Sequence, residues 1–100
     1  MKSPEGFEKD EIKDHLNEYV GGVRNDCWFF SPYMAGYGKS GVPDIVACIN
    51  GKFVSIEVKR EGKEPTALQW QRMAEIGLAG GFTCWGTAAR VIPLLKNLNA

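Results

Sequence analysis

The 100-residue sequence has no apolar run of the length that a membrane-spanning helix requires. Its first eleven residues, MKSPEGFEKDE, are polar and charged, so the apolar segment of a secretory signal peptide is missing as well. We therefore expect a protein without a membrane partner that is located in the cytoplasm.

Cysteine is scarce. The three cysteines, Cys27, Cys48 and Cys84, are odd in number and far apart, and no two of them form a Cys-x-x-Cys pair. This spacing argues against a zinc site, and we interpret the three residues as small core side chains or reduced thiols.

An excess of one charge sign is also absent, since 12 Lys and Arg residues balance 12 Asp and Glu residues. The global basic charge that often marks nucleic-acid-binding proteins is thus missing, which argues mildly against DNA binding unless a bound metal and a local basic rim compensate. Hydrophobic residues make up 44% of the chain, enough for one globular domain over residues 1–100.

A complete nucleotide-binding loop is missing too. Gly38-Lys39-Ser40 matches the end of the motif G-x-x-x-x-G-K-[ST], but Tyr33 occupies the position of its first glycine. A predicted strand, and not a helix, follows the segment. We therefore expect no nucleotide cofactor.

The strongest local signal is a β-hairpin. Asn50-Gly51 separates the apolar runs 44–49 and 52–59, and Asn-Gly between such runs predicts a two-residue type I′ turn. A two-residue turn fixes the register, which places Asp44 opposite Glu57. Like charges in this position destabilise a sheet, so we expect a bound cation between them.

The faces of the hairpin support this register. Residues at alternate positions form an apolar layer: Ile45, Ala47, Ile49, Val54, Ile56 and Val58. Lys59 shares the opposite face with Asp44 and Glu57. Two carboxylates suit Mg²⁺ or Mn²⁺, and a nearby ammonium suits an anionic substrate or an activated water.

Two predicted helices bring further polar residues toward these acids. In the helix over 7–20, Glu8 lies on the inward edge of the apolar stripe, whereas Glu11 and Glu18 are turned toward solvent. Dipole pairing at the helix N-terminus is an equally good explanation of Glu8. Thr66 and Gln69 form a capping box, and a helix that starts there directs Gln69 at the acids.

The predicted elements follow the order helix, three strands, helix, strand, helix. Residues 1–6 are expected to be a loose arm, although Ser3-Pro4 is a candidate helix start. The fourth strand follows a crossover helix, so the sheet should be mixed. The last helix, over 87–98, should be interrupted or restarted at Pro93. These features predict an α/β fold with a mixed α+β sheet.

Four short motifs in this order resemble one nuclease family. Pro43-Asp44 and Glu57-x-Lys59 within an αβββαβ order are similar to the PD-(D/E)xK nuclease superfamily, whose restriction-endonuclease-like core would here carry a C-terminal helix. Gly41-x-Pro43-Asp44, Ile56-Glu57-Val58-Lys59, Thr66-x-x-Gln69 and a leading-helix Glu resemble the VRR-NUC (virus-type replication-repair nuclease) family over roughly residues 7–90. A stand-alone domain of this length is similar to the phage-encoded members.

The resemblance implies roles for individual residues. Asp44, Glu57 and the carbonyl of Val58 would bind the metal, and Lys59 would position or help to deprotonate the attacking water. An acid of the first helix would hold metal directly or through water, with Glu8 preferred and Glu11 as the alternative. Gln69 would support the site. Four cations beside the site are candidate phosphate contacts: Lys39, Arg60, Lys63 and Arg72.

The implied activity is that of a Mg²⁺- or Mn²⁺-dependent DNA endonuclease, acting in the cytoplasm of a bacterial host if a phage encodes it. Small members are similar to homodimeric enzymes that act on branched DNA such as four-way (Holliday) junctions. The dimer has a physical motive as well, because two symmetric cuts are simplest for a two-fold dimer. Two alternatives stay open: a non-catalytic module that binds DNA structures or docks a partner, and a nuclease of this superfamily that acts on other DNA.

Overall fold

The computed structural model describes residues 2–21, 26–32 and 40–98, the side chains of 19–21 excepted. Seven elements follow in the predicted order. They are α1 (Pro4–Gly21), β1 (Cys27–Phe30), β2 (Ile45–Ile49), β3 (Lys52–Val58), α2 (Ala67–Leu78), β4 (Phe82–Gly86) and α3 (Ala88–Asn97).

The four strands form one mixed sheet in the order β1-β2-β3-β4. The first three are antiparallel, while β4 runs parallel to β3 after the crossover through α2. Ile49 pairs with Lys52 and Ile45 with Ile56, so the predicted hairpin register is confirmed. The prediction of a mixed sheet is confirmed as well.

Helices cover both faces of this sheet. On the inner face, all six hairpin residues that were expected to be apolar and buried are at most 2% exposed. α1 and α3 pack there through Ile12, Leu16, Val91 and Leu95. α2 lies on the outer face, where Met73 is buried. The chain is thus a mixed α+β protein with an α/β restriction-endonuclease-like core and a C-terminal helix, as expected.

Helix α1 starts within the segment 1–6, which was expected to be a loose arm. Pro4 is its first residue, a position where proline's missing N–H costs nothing. The Ser3 side chain accepts a hydrogen bond from the Gly6 N–H at 3.0 Å. The Ser3-Pro4 start is therefore confirmed, and the loose arm is wrong from residue 4 onward. α1 has 18 residues and many charges, and none of the described helices is long and apolar enough to span a bilayer.

The predicted break at Pro93 is wrong, because α3 continues through it. Pro93 and Ala89, whose carbonyl loses its helical donor, are both exposed, so water can solvate that carbonyl. Val91 and Leu95 are fully buried on the opposite side. Their packing holds the helix against the sheet despite the lost hydrogen bond.

Candidate active site

The Asn50-Gly51 turn sets the geometry of the site. Asn50 has φ of 52° and Gly51 of 79°, the positive values that a type I′ turn needs. The register that follows pairs Ile45 with Ile56, so Asp44 comes next to Glu57 at the open end of the hairpin. Both acids therefore reach one point because of a turn several residues away.

Hydrogen bonds hold the two acids in place. Asp44 Oδ2 accepts from the Val58 N–H at 2.8 Å. Glu57 is only 3% exposed, and its Oε1 accepts from Gln69 Nε2 at 2.8 Å. The Asp44 and Glu57 carboxyl groups are close enough to share a hydrogen bond. The fold thus fixes one carboxyl through the backbone and the other through a side-chain amide.

This environment raises the pKa of Glu57 from 4.5 to about 8. Burial is the largest cause, followed by the hydrogen bond and the negative charge of Asp44. The charge of Lys59 acts in the opposite direction, and Glu5 adds a small further increase. Without a cation, the site is therefore expected to keep a proton between its two acids at neutral pH.

Lys59 follows β3 directly. Its backbone N–H donates to the carbonyl of Gly86 at 2.9 Å, which extends the pairing of β3 with β4 by one residue. The half-buried Lys59 lowers the pKa of Glu57 electrostatically, so its ammonium lies near the acids. The predicted cluster of two acids and one lysine is thus assembled.

Gln69 serves the helix and the site together. Its Oε1 accepts from the Thr66 N–H at 2.8 Å, and its backbone N–H donates to Thr66 Oγ1 at 3.2 Å, which completes the predicted capping box. The amide nitrogen of the same side chain donates to Glu57. The carbonyl and amide ends of Gln69 therefore join the start of α2 to the buried acid.

The three candidate acids of α1 occupy different surroundings. Glu8 Oε1 accepts from the Ala88 N–H at 2.8 Å, at the first turn of α3. Glu5, one turn earlier, is the α1 acid whose charge acts on Glu57. Glu11 is exposed. Sequence reasoning missed Glu5 because it placed residue 5 in an arm, although its seven-residue spacing from Ile12 puts it on the inward stripe.

The donor set fits a hard divalent cation. Asp44 and Glu57 offer carboxylate oxygens, and a buried pair of acids gains most from a counter-charge. Within the described residues, no group of three His, Cys, Asp or Glu side chains converges as a metal site. A cation here would accordingly depend on the two acids, a backbone carbonyl and water, which is the way Mg²⁺ is usually held.

The candidate phosphate contacts do not share one surface. Arg60 and Lys63 are exposed and line one cleft. The guanidinium of Arg72 is engaged within the protein, where it donates to the Ser40 carbonyl at 2.8 Å and to both oxygens of Glu75. Lys39 lies outside the described residues. Of the four candidates, Arg60 and Lys63 are therefore the two whose cations lie exposed in the described part of the chain.

The segment before Asp44 is anchored on α2. Arg72 binds the Ser40 carbonyl, and Gly41 has φ of +75°, with Leu68 so close that an added Cβ would lie 2.7 Å from its Cγ. Only glycine allows this close approach of backbone and helix. The G-x-P-D motif thereby acquires a structural reason that its letters alone did not provide.

Comparison with known protein families found no matching family model. The chain is 35% identical over 74 residues to the protein named "Putative nuclease p44" of Acyrthosiphon pisum secondary endosymbiont phage 1. The match covers 72% of this chain and 74% of the phage protein.

Proposed function

The chain belongs to the family of this phage protein p44, and we propose that it is a divalent-metal-dependent DNA endonuclease of the VRR-NUC type. The name of the relative supports nuclease activity alone, whereas the metal dependence and the VRR-NUC type rest on the resemblance of the sequence motifs. The observation that supports the proposal best is the buried Asp44–Glu57 pair beside Lys59. A stable fold gains nothing from two adjacent carboxyls with a raised pKa, whereas a metal-dependent phosphodiesterase needs them.

Asp44, Glu57 and the carbonyl of Val58 are the residues that would hold Mg²⁺ or Mn²⁺. When bound there, such an ion would neutralise charge on the phosphate as a Lewis acid and lower the pKa of a coordinated water. The Val58 N–H keeps Asp44 oriented, and Gln69 keeps one Glu57 oxygen in place. The chain thus supplies a preorganised pair of acids.

Lys59 supplies the positive charge of the proposed site. Its ammonium lies near Glu57, where a phosphodiester in hydrolysis gains negative charge. In this position Lys59 stabilises that charge and orients the water that attacks phosphorus. The bond from its N–H to the Gly86 carbonyl fixes the backbone from which the side chain extends.

The first helix contributes one further acid. Glu5 acts on Glu57 electrostatically, while one oxygen of Glu8 is bound to the backbone of α3. We propose that Glu5 contacts the metal through a water molecule, and that Glu8 positions α1 against α3. Loss of activity in Glu5→Gln with a normal melting temperature would support this division, and the same result for Glu8→Gln alone would reverse it.

The proposed substrate is branched DNA, such as a four-way junction, cut by a homodimer. One site per 100-residue chain cannot make two symmetric cuts at once, whereas a two-fold dimer can. An exposed apolar row on the outer sheet face, formed by Trp28, Cys48 and Phe53, offers a surface for such a dimer. The site of action would be the cytoplasm of a bacterial host.

The direct test compares labelled substrates. A four-way junction, a flap, a duplex and a single strand are incubated with Mg²⁺, Mn²⁺ or EDTA and with wild type, Glu57→Gln or Glu18→Gln. Glu18 is an exposed acid near the end of α1 and provides a matched charge control. We expect cutting of the junction that depends on metal and falls at least about 100-fold in Glu57→Gln only.

Other outcomes separate the alternatives. Cutting of all four substrates supports a nuclease and contradicts structure selectivity. Cutting of a plain duplex at a defined sequence would indicate a nuclease of the same superfamily that acts on unbranched DNA. Junction binding without cutting under any metal would contradict catalysis and indicate a non-catalytic module.

A further inference from the structure

A cleft of about 420 Å³ opens beside the proposed active site. One wall is the turn 60–64 that follows β3, and the other wall consists of Trp85, Gly86, Thr87 and Arg90. The turn is closed by a hydrogen bond from the Lys63 N–H to the Arg60 carbonyl at 3.1 Å and by Gly62 with φ of +83°. The cleft thus has two walls of defined backbone.

Arg90 is preorganised at this cleft. Its guanidinium carbon lies 4.1 Å from the ring centroid of Trp85, and Trp70 packs its ring against the same indole at 77° and 5.7 Å. A stacked guanidinium loses little freedom when it binds an anion, and its N–H fork fits phosphate oxygens. The absence of a side chain at Gly86 is required, since a Cβ there would lie 2.5 Å from Arg90 Cδ.

The cleft is one strand away from the proposed metal site. Glu57 pairs with Trp85 in the parallel ladder, and adjacent strands lie ~4.8 Å apart. Paired residues of adjacent strands share a face, so Trp85 and Glu57 both lie on the outer face. The cleft and the two acids are therefore neighbours on one side of the sheet.

The charges of the cleft favour an anion. Arg60, Lys63 and Arg90 line it with Glu61 and Glu64, an excess of one positive charge. Although these acids are close in the chain, none of the three cations forms an ion pair within the described part of the protein. Their donors are therefore available to a ligand.

We propose that this cleft, through Arg90 stacked on Trp85 together with Arg60 and Lys63, binds the DNA phosphate next to the scissile one. This assignment rests on the proposed function. It explains why an arginine is held against a tryptophan at the surface beside the acids. The subsite would fix the register of the strand so that the scissile phosphate reaches Asp44 and Glu57.

The test measures DNA binding without catalysis. Fluorescence anisotropy of a labelled four-way junction and of a duplex is recorded in EDTA over a range of NaCl concentrations, for wild type, Arg90→Gln, Arg90→Lys and Lys96→Gln. Lys96 is an exposed cation near the other end of α3 and is the matched control. Melting temperatures confirm that each variant is folded.

We expect Arg90→Gln to weaken binding of both DNAs roughly tenfold and to reduce the slope of log K against log salt by about 1. Arg90→Lys should retain part of the binding, because it keeps the charge and loses the planar fork. Lys96→Gln should bind like wild type. Unchanged binding and slope in Arg90→Gln, while wild type binds and cuts DNA, would overturn the subsite and leave the nuclease intact.

Two more arms complete the test. If the cleft holds a backbone phosphate, inorganic phosphate competes with DNA there, so displacement of DNA that exceeds the effect of NaCl at equal ionic strength and disappears in Arg90→Gln supports the proposal. Binding of inorganic phosphate that depends on Arg90 but leaves bound DNA in place would identify a free-phosphate site and overturn the proposal. Absence of both DNA binding and cutting in wild type would refute the proposed function itself.

Discussion

Glu57 is the residue at which folding and the proposed chemistry conflict most directly. The Glu57 carboxyl group is 3% exposed and lies next to a second carboxyl, so at neutral pH its protonated form has a lower free energy than its ionised form. The fold nevertheless keeps it there through Gln69 and the hairpin register. The pair of acids therefore lowers the free energy of unfolding at neutral pH, and in the proposed function it provides a site for a cation.

This conflict predicts a pH dependence of stability. In the folded protein the pKa of Glu57 is about 8, compared with 4.5 for an ordinary glutamate. The folded state thus binds one more proton between these values. This stabilisation is complete below pH 4.5 and is lost as the pH rises through 8, by roughly 2–5 kcal/mol. Thermal melting in EDTA from acidic to alkaline pH measures it.

The matched variant is Glu57→Gln, which keeps the shape and cannot ionise. We expect its melting temperature to exceed that of wild type at pH 8 and to depend much less on pH above 5. Equal slopes for both proteins would show that another group controls the pH dependence. Added Mg²⁺ should raise the melting temperature of wild type more than that of the variant, because only the ionised pair attracts the ion.

Burial also raises the pKa of the two buried cysteines, but there it makes the side chains unreactive. Burial raises the pKa of Cys27 to about 11 and that of Cys84 to about 12, so both stay protonated and unreactive. This agrees with their interpretation as core side chains. Cys48 is the exposed one, on the outer face of β2, which makes it a natural probe of that face.

At the scale of elements, α2 connects helix stability with the site through one side chain. Thr66 and Gln69 cap the helix reciprocally, and Gln69 also donates to Glu57. The two functions use different atoms of Gln69, so they can be separated by substitution. The same helix also anchors the backbone before Asp44 through Arg72.

A pair of variants tests this separation. Thr66→Ala removes half of the capping box and should lower the free energy of unfolding by about 1 kcal/mol, with cleavage nearly unchanged. Gln69→Glu keeps an acceptor for the Thr66 N–H but places a third acid against Glu57. We expect it to retain most of the stability and to reduce kcat by at least about tenfold.

Urea unfolding and single-turnover cleavage measure the two effects. Thr66→Ala is the control for fraying of the helix, because it perturbs the first turn of α2 but keeps the amide of Gln69 that donates to Glu57. If Gln69→Glu cleaves DNA as wild type does, Gln69 serves the helix alone. If Thr66→Ala loses activity to the same extent, the site depends on the helix start in general and not on the amide.

At the scale of the whole molecule, the predictions that held depend on local sequence. The two-residue turn at Asn50-Gly51 determines the hairpin register by itself. The capping box likewise needs only residues 66–69. The first-helix acid depends instead on contacts between distant segments. Glu8 meets Ala88 across 80 positions, and Arg72 meets Ser40, and no local pattern encodes either contact.

The break expected at Pro93 was wrong for the same reason. A local rule predicts an interrupted helix, but packing of Val91 and Leu95 on the sheet outweighs the lost hydrogen bond. The cleft beside the site was also beyond sequence reasoning. It requires the register of β4 against β3, which pairs Trp85 with Glu57 and which the predicted crossover alone did not determine.

The outer sheet face divides into regions of different character. Trp28, Cys48 and Phe53 pair across three strands and are exposed, whereas Ser55 and Glu57 lie farther along the same face and are buried. An apolar cavity continues from Phe53 to the end of α2, along Ile76, Ala79 and Gly81. If the protein is a dimer, this apolar row is the surface that gains most from being covered.

A charge in this row should therefore separate the protomers. We expect light scattering to give a dimer for wild type at micromolar concentration and a monomer for Phe53→Asp. The control is Leu78→Asp, which places the same charge on a leucine that is 91% exposed and should leave the dimer intact. Thiol labelling of Cys48 should be slow in the dimer and fast in Phe53→Asp, since the partner would cover it.

The same variant connects assembly with substrate. A monomeric Phe53→Asp protein keeps Asp44, Glu57 and Lys59, so we expect it to nick one strand of a four-way junction while paired cuts are lost. A wild type that is monomeric in solution would contradict the dimer. A dimer that persists in Phe53→Asp, with Cys48 labelled quickly in both proteins, would place the interface on another face, because a covered apolar row could not accept a buried charge at Phe53.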